Sequence, residues 1–130
     1  MNLTSGLLSC SDIPGERMSL DADQGIMDLY RWLMQRYGIR SNKPRFNAHV
    51  SVIRNEQIAN EFLWKDLHGQ EIQFSFSPEV FHDQTYFWLA VAAPQLSEIR
   101  KSLGLAATKF GVTFSPDGCH AFHLTLGNMK

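Results

Sequence analysis

Several things are scarce in this chain, and each scarcity excludes something. Cysteine is confined to Cys10 and Cys119 in 130 residues. That is too few for a disulfide framework and predicts free thiols in a reducing compartment. Long apolar runs are missing: the longest, YFWLAVAAP from Tyr86 to Pro94, falls far short of the roughly 20 residues that a membrane-spanning helix needs. The opening MNLTSGLLSCSDIPG has neither a basic stretch nor a long apolar one, so no secretion signal is expected. A cytoplasmic location follows, in which the Asn2-Leu3-Thr4 sequon has no meaning. Positive charge is not in excess either, with 12 Lys and Arg against 13 Asp and Glu and a net charge of −1. Gripping long duplex nucleic acid calls for a basic face. A small anionic ligand held by a few local groups is still allowed.

What is present is ordinary globular material, 44% hydrophobic and 19% charged, enough for one domain over residues 1–130 with a real core. Residues 3–10 read as a strand, and SDIPGERMS as a turn-rich loop. From Asp21 to Tyr37 the apolar residues Ile26, Leu29, Tyr30, Leu33, Met34 and Tyr37 make one helical face, with a capping-box pattern at Asp21 and Gln24 and a helix-ending Gly38. Residues 46–54 alternate as a strand, 56–67 as a short helix or irregular segment, and 70–77 and 84–92 as the strands of a hairpin. A second helix is expected over 94–110, started by Pro94 and containing Gly104. A polar loop leads to a closing strand at 121–127.

That order hides a repeat. The first helix ends RYGI (Arg36 to Ile39) and the second KFGV (Lys109 to Val112), an offset of 73 residues (109 − 36). The strands that follow match as AHVSV (Ala48 to Val52) and FHLTL (Phe122 to Leu126), one residue slipped, since 123 − 49 = 74. The chain therefore reads as an α+β fold of two pseudo-symmetric strand–helix–strand units, compact and bilobal, with the helices outside a central strand cleft. Side chains alternate across a strand. His49 and Ser51 thus share one face of the first closing strand, as His123 and Thr125 do in the second. The apolar neighbours on the other face are free to pack on a helix.

Two histidines facing each other can act as general base and general acid at one pH. Two hydroxyls beside them can donate to the non-bridging oxygens of a phosphodiester. Paired His-x-Ser/Thr motifs on strands of two pseudo-symmetric lobes are the hallmark of the 2H phosphoesterase superfamily, and this chain resembles it from residue 3 to residue 127. The resemblance implies catalytic roles for His49, Ser51, His123 and Thr125, no cofactor and no metal. It also implies a metal-independent phosphodiesterase acting on small cyclic or 2′,5′- or 3′,5′-linked oligonucleotides. The small size is most similar to compact phage and viral members, including anti-CBASS nucleases that destroy cyclic oligonucleotide signals of antiviral defence; such a protein would act in the host cytoplasm. The alternatives are a phosphodiesterase of RNA ends or 2′,3′-cyclic phosphates, and a protein that sequesters a nucleotide without turnover.

Other residues bear on the site. Tyr86 and Trp88 share a strand face that can look into the cleft, where rings stack on bases; plain core packing is the competing reading. Arg45 and Lys43 precede the first motif and are within reach of a phosphate, or form a solvated loop. Cys119, His120 and His123 lie close in sequence but fit no standard zinc spacing. His68 and His82 sit beside Gly69 and Asp83, in expected turns.

Overall fold

The computed structural model describes residues 2–11, 17–107 and 122–130. Its elements are β1 (Asn2–Cys10), β2 (Arg17–Asp21), α1 (Gln24–Arg36), β3 (His49–Arg54), a 3₁₀ turn (Glu61–Leu63), α2 (Trp64–Leu67), β4 (Glu71–His82), β5 (Tyr86–Ala92), α3 (Pro94–Ser102) and β6 (Phe122–Asn128). The six strands close into a barrel in the order β1-β2-β3-β6-β5-β4, each neighbouring pair antiparallel. Exchanging β1-β2-β3 with β4-β5-β6 leaves that circular order unchanged. Each half is a strand pair, a helix and a closing strand, and the halves meet along two seams. The β1–β4 seam runs through six residue pairs from Asn2↔Phe76 to Leu7↔Glu71. The β3–β6 seam carries the single pair Val50↔Leu124.

Cross-strand pairs carry one apolar face around the sheet. Leu8 lies opposite Leu20, Leu20 opposite Val50, Val50 opposite Leu124, and Leu124 opposite Leu89, all 0–1% exposed. Burying each such side chain contributes about 1.5–3 kcal/mol. Met27, Tyr30 and Met34 of α1, with Leu96 of α3 and Leu103 just past it, enter the same core, and Tyr30 meets Phe76 edge-on at 6.2 Å. Helix α1 packs on β6, and α3 on β4 and β3. Because side chains alternate, the polar residues of the same strands are turned to the opposite face.

Four local expectations are corrected. Part of the expected loop is strand β2, where Met18 and Leu20 are buried between Arg17, Ser19 and Asp21; five residues next to a Pro-Gly pair are too few to show a period of two. Helix α1 begins at Gln24, because the Asp23 carboxylate accepts the Gly25 N–H at 2.9 Å and caps it. Asp21 ends β2 instead. Strand β4 runs on past Pro78 to His82, its register against β5 shifting between Phe76 and Val80. Helix α3 stops at Ser102 rather than at Phe110, which lies outside the described residues. The cause is Gly104, whose φ of +83° is the left-handed conformation that ends helices. Its N–H donates to Lys101 O at 3.0 Å and that of Leu105 to Arg100 O at 2.9 Å. Gly38, at φ +78°, ends α1 with the same bonds, Gly38 to Gln35 O and Ile39 to Met34 O. The helix ends therefore match at an offset of 66 (104 − 38), and KFGV lies outside the described residues. No helix among the described residues is long and apolar enough to cross a membrane.

Candidate active site

Registers across β2, β3, β6 and β5 build the polar face. Asp21 lies opposite His49 and Ser19 opposite Ser51; Trp88 lies opposite Thr125 and Ala90 opposite His123. On either side of the antiparallel pair Val50↔Leu124, antiparallel geometry brings His49 toward Thr125 and Ser51 toward His123. The two imidazoles are then diagonal neighbours on one face, with backbones about 7–8 Å apart. A phosphate hydrogen-bonded from both sides fits such a gap. All four side chains line one cleft of about 500 Å³, together with Tyr86 and Arg45. Lys43 is not among the lining residues.

Two further cleft residues come from bulges. In β3 the partners step from Met18↔Ile53 to Ser19↔Ser51, leaving Val52 as an extra residue. In β6 they step from Phe87↔Gly127 to Trp88↔Thr125, leaving Leu126 extra. An extra residue flips the side-chain alternation beyond it. Arg54 and Asn128 are thereby turned into the cleft, where strict alternation would have put Ile53 and Gly127. They are related by 128 − 54 = 74, the same offset as the histidines. The signal was in the sequence, as HVSVIR against HLTLGN, each with two non-polar residues before its last polar one.

The histidines differ in setting. His49 Nδ1 lies 2.8 Å from the Asn47 carbonyl. A carbonyl only accepts, so Nδ1 carries the hydrogen and Nε2 is left for the cleft. His123 is partly buried and meets the buried Trp88 ring at 6.3 Å and 62°. Burial, and secondarily the charges of His49 and Arg54, hold its pKa below the ordinary 6.5. It is therefore neutral at neutral pH and presents a lone pair.

Rings are placed unequally. Tyr86 is 37% exposed, with the Lys130 ammonium 5.0 Å above its ring. Trp88, at 6% exposed, lies under His123 and is absent from the cleft lining. Phe46, which alternation did not single out, is 57% exposed, lines the cleft, and stands edge-on to His49 at 6.3 Å, with the Arg45 guanidinium 5.7 Å from its ring centre. Phe46 and Tyr86 lie toward one end of the cleft, the end where Tyr86 pairs with Asn128. Arg17 and Arg54 are opposed at the other.

His68 accepts the Cys10 N–H at 3.0 Å and His82 tilts against Phe87 at 5.7 Å; neither reaches the cleft. Among the described residues no three or more of His, Cys, Asp and Glu converge as metal ligands, and Cys119 and His120 lie outside those residues. No family model, curated protein or solved structure matches the chain.

Proposed function

We propose that this protein is a phosphodiesterase of the 2H type, cleaving short cyclic or 2′,5′- or 3′,5′-linked oligonucleotides in a cytoplasm without a metal ion or cofactor. One observation carries the reading: His49 and Ser51 of one half and His123 and Thr125 of the other line a single cleft. His123 is the base, since its desolvated ring is neutral and has a lone pair to offer. It takes the proton from the attacking oxygen, a water or the ribose hydroxyl next to the phosphate, as the new P–O bond forms. The old P–O bond breaks, and the departing oxygen takes a proton from Nε2 of His49, which enters the step as the imidazolium with its Nδ1–H held by the Asn47 carbonyl. Ser51 and Thr125 donate to the non-bridging oxygens, where charge persists through the displacement. The exposed rings of Tyr86 and Phe46 are platforms for bases, and Arg45 beside Phe46 supplies charge for phosphate.

The test is a panel of cyclic dinucleotides, 2′,5′-linked oligomers and RNA ending in a 2′,3′-cyclic phosphate, incubated with the purified protein in chelator and analysed for products. Cleavage of several short or cyclic substrates is expected, with modest base preference. Faster cleavage of the RNA end would transfer the protein to that substrate class. Binding with no product from any substrate would make it a nucleotide-sequestering protein.

A further inference from the structure

The bulges that turn Arg54 and Asn128 into the cleft each free a backbone carbonyl from the strand ladder, and each carbonyl is taken up by an arginine. Arg100 of α3, 1% exposed, donates from Nη1 to Val52 O at 2.7 Å. The rest of its guanidinium is also engaged: Glu56 receives two bonds of 2.8 Å and Ala106 O a third of 2.8 Å from Nε. Arg31 of α1 donates from Nη1 to Leu126 O at 2.9 Å and from Nη2 to Ser41 O at 3.1 Å. Val52 and Leu126 are the extra residues, each directly after the motif hydroxyl and again 74 apart (126 − 52). The contacts cross between halves. Helix α1 belongs to the half ending in β3 but holds β6, and α3 belongs to the half ending in β6 but holds β3.

We infer that Arg31 and Arg100 are positioning residues of the cleft, each fixing the bulge that sets the face of the motif strand in the opposite half. A buried carbonyl without a partner is costly. Without its arginine, each bulged strand would gain by sliding back to regular alternation. That slip would carry Asn128 or Arg54 out of the cleft and shift Thr125 or Ser51 against the phosphate. The first clamp also accounts for Gly127. A Cβ there would collide with Ser41 Oγ and come within 2.7 Å of Arg31 Nη1, so glycine leaves the space in which the arginine reaches Leu126.

The inference rests on the proposed function only for its effect on rate, and its test is built to separate the two. Arg31→Lys, Gly127→Ala and Arg100→Lys are compared with wild type by backbone and imidazole NMR shifts of the ligand-free protein; Arg36→Lys, on an exposed part of α1, is the control. Gly127→Ala disturbs the first clamp without altering its arginine, and Arg100→Lys keeps a cation against Glu56. Arg31→Lys and Gly127→Ala should shift His123, Thr125 and Asn128 most, although α1 precedes β3. Arg100→Lys should shift His49, Ser51 and Arg54 most, and Arg36→Lys neither set. Turnover should fall by up to about 10²-fold in kcat with KM little changed, as expected for misplacement rather than lost binding. Shifts largest within each arginine's own half, or spread evenly over the barrel, would overturn the clamps. The crosswise pattern in a protein that cleaves nothing would keep them and dispose of the phosphodiesterase.

Discussion

His49 and His123 occupy equivalent places in β3 and β6, yet their neighbours differ. Across the strand from the first pair stand Asp21 and Ser19; across from the second stand Ala90 and Trp88, 69 residues further on (90 − 21 and 88 − 19). One half thus surrounds its histidine with a carboxylate and a hydroxyl, the other with a methyl group and a buried indole. The repeat supplies the placement of four polar groups. Divergence on the adjacent strand gives the two half-buried imidazoles different surroundings, and burial lowers the pKa of His123. A two-histidine reaction needs that division, since one ring must begin without the proton that the other gives up.

The largest expected effect breaks the pair. His49→Ala or His123→Ala should each cut turnover by about 10²–10⁴-fold while the far-ultraviolet circular dichroism is unchanged; a folded variant that keeps its rate would end the division of roles. Next come the hydroxyls. Thr125→Val, isosteric with the native residue, and Ser51→Ala each remove one donor to the phosphate and should lower kcat by about 10²-fold, read from initial rates at saturating substrate. The aromatic end then distinguishes the exposed rings from the buried one. Phe46→Ala or Tyr86→Ala should weaken apparent binding of a short oligonucleotide about tenfold, in line with the 1–3 kcal/mol of a base–ring stack, and leave kcat nearly unchanged. Trp88→Phe should spare binding and instead alter the titration of His123.

The smallest effect concerns stability. Burial lowers the His123 pKa in the folded protein below the 6.5 of the unfolded chain, so between those two values the unfolded state binds more protons. Stability contributed by this group is complete above pH 6.5 and is lost as pH falls from there through the folded pKa, by at most about 1.4 kcal/mol per pH unit. Chemical denaturation of wild type and His123→Gln between pH 5 and 8 should show a shallower acid slope in the variant. Equal slopes would mean that His123 is not desolvated.

Much of this was legible in the sequence because it depends on alternation. A period of two put His49 with Ser51 and His123 with Thr125, and the matching offsets tied the two strands together. What escaped depends on interruptions of alternation or on contacts distant in sequence. Arg54 and Asn128 reach the cleft only because Val52 and Leu126 are extra residues, which no periodic reading contains. Trp88 has the right parity for the cleft but is covered by its neighbours, and parity says nothing of cover. Phe46 opens the stretch 46–54 that alternation reads as a strand, on the side opposite His49, but the strand begins only at His49 and Phe46 lies in the loop before it. Gly104 reads as a flaw in a long helix until its positive φ shows that the helix ends there; the misplaced end also misaligned the two helices by seven residues (73 − 66), about two turns. Arg100 looks like a surface residue of α3, and its bonds to Val52 and Glu56, 48 and 44 residues away, have no local signature.

The central claim is that His49 and His123 act together on one phosphate. It is tested most directly by single-turnover cleavage of one short oligonucleotide in chelator by wild type, His49→Ala, His123→Ala and the double variant. Groups that act as a unit are strongly non-additive. The double variant should therefore be no slower than the slower single variant, with both singles reduced by about 10²-fold or more. Two independent losses that multiply in the double variant, or one histidine whose removal leaves the rate unchanged, would contradict the account.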